Sequence, residues 1–393
     1  MIASAGVSAD PFEPAPSHIG PYEVVGRIAT GGMAEVFAAR TRDALGHPIV
    51  VAVKRPRRDG LEERRLVEMF LDEARLAALV HSRHCVATHA LGTDDEGLPY
   101  LVMPLVVGVS LHRLLARGGA LPPAVAAEIA AQTADGLDDA HRAVAQDGTP
   151  LGIVHRDVSP HNVMVDTDGL VRVADFGIAR AYWRISRTRT GQLKGKLGYL
   201  SPEQIMGQPL DGRADVFALG IVLWEMFTGR RFVRAKSFFD AHRALVVDPV
   251  PDVREYAPAV PSALAACVAR AMAREPSERF DDAAAMSVAL RAAVGRGVSS
   301  AEVAALVMSR SDAELGRLVD LAQAARGVGT WRSGVTALPR ADDPSDGETQ
   351  LSTGSLDATM VSAPPSFDEV TRWPARTWAW LVAWWSRQRR RFR

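Results

Sequence analysis

The chain has 393 residues, room for two or three domains. At 47% hydrophobic and 23% charged residues, the composition excludes wholesale disorder, a collagen-like fibre and a disulfide-stapled miniprotein. The 46 basic and 46 acidic side chains cancel, so no global basic field exists for gripping nucleic acid, and no nucleic-acid partner is expected.

Residues 1–20 are rich in Pro, Ser and Ala and read as a flexible leader without signal-peptide character. Two cysteines, Cys85 and Cys267, offer neither a disulfide framework nor a zinc spacing, which points to a reducing, cytoplasmic location. No run of about 20 apolar residues is present to span a bilayer.

From Tyr22 the patterning becomes dense. YEVVGRI and AEVFAAR flank a Gly-Gly turn, IVVAVK follows the turn signal ALGHP, and all three read as strands. The next segment, LEERRLVEMFLDEARLAALV, is helical. Leu66, Phe70, Ala77 and Val80 share one face of it with Glu73. A lone carboxylate in an apolar stripe costs several kcal/mol unless paired, roughly, so Glu73 is either a solvated rim residue or the partner of a cation. Lys54, which closes the apolar run V-V-A-V-K, is the candidate cation.

After Pro122 the pattern is mostly helical, with one exception. VMV and VRV, joined by the turn DTDG, form a hairpin. Asp157 and Asn162 precede it and Asp175 follows it, so the hairpin brings two carboxylates and an amide to one end. Such hard oxygen ligands suit Mg²⁺, which shares its shell with phosphate oxygens. Strands first and helices after predict an α+β, bilobal protein.

Taken in order, these motifs resemble those of bacterial eukaryotic-type (Hanks-type) serine/threonine protein kinases. The set comprises a glycine-rich loop, VAVK, a helix glutamate, HRDVSPHN, DFG at 175–177, SPE at 201–203, DVFALG and a late arginine in EPSERF. The resemblance covers roughly residues 21–290 and implies the bilobal kinase fold, β-rich then helical. The expected kinase domain is 21–294, with an N-lobe of about 21–103 and a C-lobe of about 107–294.

The resemblance also implies roles. ATP and Mg²⁺, with Mn²⁺ as an alternative ion, are the implied cofactors. Lys54 holds the α- and β-phosphates and Glu73 fixes Lys54. Asp157 takes or orients the proton of the acceptor hydroxyl, while Asn162 and Asp175 hold the metal. Ile28, Ala29 and Gly31 belong to the loop over the phosphates. Val36 and Ala52 line the adenine site, Met103 is the gatekeeper, and Val106 offers backbone groups to the base. His155 packs beneath the catalytic loop, Asp215 caps that loop, and Glu203 pairs with Arg279. The implied partners are proteins with Ser or Thr acceptors, with Ser186, Thr188 and Thr190 as candidate phosphosites and dimerisation as a further expectation.

The sequence departs from the family pattern twice. The loop reads A-T-G-G-M-A over 29–34, where the family has G-x-G-x-x-G, so a stiffer loop and weaker nucleotide handling are expected. The second departure is a swap. The catalytic-loop lysine position holds Ser159, and the threonine position before the P-E motif holds Lys196. Lys196 is therefore expected to bring its charge to the γ-phosphate in place of the missing lysine; the alternative is a solvated lysine on a slower enzyme. HRDVSPHN favours Ser and Thr over Tyr, and Lys196 leaves dual specificity open. A pseudokinase that binds ATP without transfer is the alternative function.

Residues 295–327 form a helical extension, with Val303, Leu306, Val307, Leu318 and Leu321 spaced for burial. Residues 328–370 read as a disordered linker. The tail, 371–393, carries five tryptophans and seven arginines and no acid. It suits either the anionic inner face of a membrane or a docking partner. Its charge leaves 39 basic against 46 acidic side chains in residues 1–370. Residues 178–202 are locally basic, with six Arg and Lys and no acid.

Overall fold

The computed structural model describes residues 15–326, apart from 32–33, 43–45, 58–69, 72–73, 76, 146, 177–196, 235–236 and 311–312. The three strands expected from the sequence are β2 (Tyr22–Thr30), β3 (Ala34–Arg42) and β4 (Pro48–Pro56). They join β1 (His18–Ile19), β5 (Ala90–Thr93) and β6 (Pro99–Pro104) in an antiparallel sheet ordered β1-β2-β3-β4-β6-β5. β1 corrects the expected leader boundary: Ile19 is fully buried and packs with Tyr22, Phe37 and Val53, so the ordered sheet begins within residues 1–20.

Alternation fixes the two faces of this sheet. Phe37, Ala39, Val51, Val53 and Val102 form the core of one face. The other face carries the register row Gly26, Ala38, Ala52 and Met103, with Lys54 two residues beyond Ala52. Helical residues Phe70 and Ala74 pack there against Leu101 and Met103. Leu101 is the register partner of Lys54, so Phe70 and Ala74 pack beside that lysine's strand.

The chain crosses to the second lobe after Pro104. β7 (Gly108–Ser110) pairs with β8 (Val163–Asp166), and β8 with β9 (Val171–Val173), which is the hairpin expected from the sequence. Asp166 Oδ1 closes its turn by accepting from the N–H groups of Asp168 and Leu170, at 3.0 and 2.8 Å.

The helices around it are α1 (Leu111–Gly118), α2 (Pro123–His141), α3 (Pro202–Met206), α4 (Arg213–Thr228), α5 (Phe238–His242), α6 (Ser262–Ala271) and α7 (Ala283–Val294). α2 and α4 are the central pair. Ile129, Leu137, Phe217, Leu219 and Ile221 are almost wholly enclosed, so these helices are apolar nearly all round.

The helical extension is two helices, α8 (Ser300–Ser309) and α9 (Ala313–Arg326). Ser299 and Glu302 cap α8 reciprocally, and Val303 and Val307 enter the large core. Arg310 then donates to the carbonyls of Leu114, Gly119 and Ala120 at the end of α1, at 2.9, 3.0 and 2.8 Å. α9 returns to the first lobe. It packs on β2, β3 and β4, where Leu321 seats against Gly26 and Arg317 reaches the carbonyl of Arg27 at 3.4 Å. The linker 328–370 and the tail 371–393 lie outside the described residues.

Candidate active site

The hairpin does what its sequence requires. The Asn162 carboxamide donates to the main-chain oxygen of Asp157 at 2.8 Å and to its Oδ2 at 3.1 Å. Ala174 N–H returns to the Asn162 carbonyl at 2.8 Å, which ties the two ends of the hairpin together. Asp157 is 8% exposed, and its own N–H donates to His155 Nδ1 at 3.2 Å. Asp175 follows, and its Oδ1 accepts from Lys54 Nζ at 2.8 Å. The three acidic-loop residues and the strand lysine therefore converge, although 121 positions separate Lys54 from Asp175.

Arg156 and Asp175 have φ of 64° and 56°. Left-handed backbone is uncommon away from glycine and clusters where function demands it. Both residues border the site, one immediately before Asp157 and one at the Lys54 contact.

Asp215 holds the loop from beneath. Its carboxylate accepts from the N–H groups of His155 and Arg156, at 2.7 and 2.8 Å, and from His141 Nε2 at 2.8 Å. Burial alone would raise its pKa. The hydrogen bond and electrostatic attraction of His141, joined by the Arg156 N–H, outweigh burial and hold the carboxyl below its ordinary value. His155 is fully enclosed, with Nε2 3.1 Å from the Ala174 carbonyl and its ring against Phe176, as a packing residue and not a base.

A second support lies below. Ser201 caps α3 in a reciprocal box with Gln204, and Gln204 Nε2 donates to the Arg156 carbonyl at 3.1 Å. Glu203, in the first turn of α3, forms a two-pronged pair with Arg279 at 2.7 and 2.9 Å. Arg279 also donates to the carbonyls of Ala273, Arg213 and Arg274. Its fully buried guanidinium is thereby saturated.

The expected nucleotide pocket divides among known and undescribed parts. Ala52 is buried, Val36 pairs with Lys54, and Met103 pairs with Ala52, so these side chains share the face of Lys54. Ile28 and Val106 are half-buried, while Ala29 and Gly31 are exposed. Ala29 pairs with Val36 inside the strand ladder, and Gly31 N–H closes the turn to Ala34 O at 2.8 Å. Neither alanine needs positive φ, so the missing glycines leave this backbone unstrained. Glu73, Lys196, Ser186, Thr188 and Thr190 lie outside the described residues. Ser159 is fully buried, and its Oγ finds no hydrogen-bond partner among the described residues.

Sequence reasoning did not find the direct Lys54–Asp175 contact, nor the stacking of His112 on His161, whose ring centroids are 4.0 Å apart. His161 stands inside the HRDVSPHN motif and could have been flagged; no pattern marks His112.

A two-lobed fold with a lysine, two aspartates and an asparagine meeting at the interlobe end of a hairpin defines a phosphoryl-transfer cleft of the kinase type. Residues 22–287 match the family described as protein kinase domain, and the chain belongs to it. Over 275 residues it is 38% identical to the tyrosine-protein kinase MasK of Myxococcus xanthus, covering 69% of this chain and 42% of that protein. It is 37% identical over 273 residues to the serine/threonine-protein kinase PknL of Mycobacterium tuberculosis, covering 69% of this chain and 65% of that one. The chain thus spans less than two thirds of the length of these relatives. The Mycobacterium tuberculosis PknI kinase domain is a similar solved structure, at TM-score 0.53 and 25% identity, covering 70% of this chain and 97% of that domain.

Proposed function

We propose that the chain is an ATP- and Mg²⁺-dependent protein kinase that transfers the γ-phosphoryl group to Ser and Thr hydroxyls. The observation that carries this reading is the meeting of Lys54, Asp157, Asn162 and Asp175 at one end of the hairpin. Asp157 takes the proton of the acceptor hydroxyl as its oxygen bonds to the γ-phosphorus, and the bond from that phosphorus to the bridging oxygen breaks, leaving ADP. Lys54 carries positive charge for the α- and β-phosphates. Asp175 is half-exposed and keeps ligand capacity beside its lysine. Asn162 donates through nitrogen to Asp157, which leaves its oxygen as a ligand. This hard donor set fits Mg²⁺, which supplies charge neutralisation between the phosphates when bound.

The choice of Ser and Thr rests on the catalytic-loop sequence and on the PknL relative; MasK, named a tyrosine kinase, makes the acceptor worth testing directly. For the undescribed residues we keep the reading that Glu73 braces Lys54, that Lys196 replaces the charge absent at Ser159, and that Ser186, Thr188 and Thr190 are phosphosites. Residues 371–393 are read as a membrane or docking segment; among the described residues no helix is long and apolar enough to cross a membrane.

Labelled ATP with a generic protein acceptor tests the proposal. Wild type should incorporate label that Asp157→Asn does not, and hydrolysed product should hold phosphoserine or phosphothreonine. Equal incorporation by both proteins defeats the enzyme reading, and phosphotyrosine alone defeats the acceptor assignment.

A further inference from the structure

Imidazole and guanidinium side chains gather beside the catalytic loop. His112 N–H, at the start of α1, donates to the Pro160 carbonyl at 2.7 Å. Its ring lies nearly parallel to that of His161, with 19° between the planes. His161 is exposed and stands four residues after Asp157. Burial, then the positive charges of Arg231 and Arg113, hold the His112 ring below its ordinary pKa. Arg231 therefore lies within electrostatic reach of His112.

Arg231 comes from the loop after α4. Its Nη1 donates to the Tyr199 hydroxyl, and its guanidinium sits 5.6 Å from the Tyr199 ring centroid. Tyr199 donates in turn to Glu225 Oε2 at 2.7 Å, and Glu225 Oε1 accepts from Phe232 N–H at 3.0 Å. Glu225 is 3% exposed, so its carboxylate is turned inward and occupied.

Of the other acids between 197 and 234, Glu203 and Asp215 are enclosed, while Asp211 is half-exposed beside Arg213. Glu203 pairs with Arg279, Asp215 holds the catalytic loop, and Asp211 meets Arg213 at 2.6 Å. Cations on the same stretch keep some contact with solvent: Arg231 is half-buried and Arg234 is exposed. A basic side chain arriving at this face would meet Arg231 and the histidines.

We propose that this face reads acidic acceptor segments: Arg231, Arg113 and the His112–His161 stack receive Asp or Glu side chains that flank the Ser or Thr to be phosphorylated. The inference names the substrate class of the proposed kinase and rests on that reading. Partly exposed charges give modest individual energies, so specificity comes from several together and from repulsion of the wrong partner.

The test uses the full chain and two fluorescent peptides that share one central Thr and differ only in acidic or basic flanks. Anisotropy without nucleotide reads recognition apart from turnover, and labelled ATP then reads transfer. The acidic peptide should bind about tenfold more tightly, a difference of about 1.4 kcal/mol, and be favoured in kcat/KM. Arg231→Gln, which can still donate to Tyr199, should cut that ratio severalfold, and His161→Glu should cut it further. High salt should erase it. Equal binding of the two peptides, or a basic preference, overturns the inference. Loss of affinity for both peptides alike in Arg231→Gln overturns it too, since that marks a structural role. Acidic preference in binding without any transfer would uphold this inference and sink the kinase reading.

Discussion

Two ion pairs in this molecule are built from the same chemistry and behave oppositely. Arg279 and Glu203 meet in two parallel bonds, fully enclosed, with the remaining guanidinium hydrogens on backbone carbonyls. Lys54 and Asp175 meet at 2.8 Å, with the lysine buried and the aspartate half in solvent. The first pair is saturated and has nothing left to offer a ligand. The second leaves its aspartate half in solvent, held in a left-handed backbone that only its surroundings enforce. A pair that stabilises a lobe is closed; a pair that handles phosphate must remain open.

The sharpest way to break this contrast is to remove one member of each pair. Arg279→Ala should destabilise the protein by about 3–5 kcal/mol, because Glu203 is left buried and uncompensated; chemical denaturation measures it. Lys54→Met should leave the denaturation midpoint nearly unchanged and lower turnover by about 10²–10³-fold. If the two variants behave alike in both assays, the division into closed and open pairs is wrong.

Next in size is the lysine exchange. Lys196→Thr should cripple turnover in a steady-state assay, and adding Ser159→Lys should restore much of it; a harmless Lys196→Thr removes the idea. The buried Ser159 hydroxyl, without a partner among the described residues, motivates the second half of the swap.

Asp215 gives a smaller effect, read as pH dependence. Its folded pKa lies below the unfolded value. The stability it contributes is therefore present above the unfolded carboxyl pKa and is lost as pH falls through the folded one. Asp215→Asn should flatten the acid side of a stability–pH profile, besides loosening the catalytic loop. An unchanged acid limb would contradict the assignment. The smallest effect is expected at Gly26, where a Cβ would sit 2.8 Å from Leu321 Cδ2. Gly26→Ala should cost about 1 kcal/mol or less, because a leucine end can shift, and thermal melting of wild type and variant would show it.

Much of the site was legible because its residues are out of place locally. A lysine at the end of an apolar strand and acids around a short hairpin violate the pattern of their elements, and such violations point to function. Asp215 and Arg279 could be assigned by resemblance, and their partners follow the assignment. The β1 strand was missed because two residues carry no period. Its evidence is tertiary, the burial of Ile19 against the sheet. β5 and β6 were not singled out, as their short runs lie beside glycines and prolines that read equally well as loop. The His112–His161 stack was invisible because 49 positions separate two residues brought together by the β7–β8 pairing.

The return of α9 changes what the hinge can do mechanically. The first lobe is joined to the second by the covalent chain after Pro104, by His84 and Val86 bonded to Val173 of β9, and again by α9, whose root is fastened at Arg310. Several attachments leave a lobe fewer rotational freedoms than one strap does. Turning the small lobe away from α9 must slide Leu321 off Gly26. The small lobe is thus moored to the large one at more than its covalent hinge.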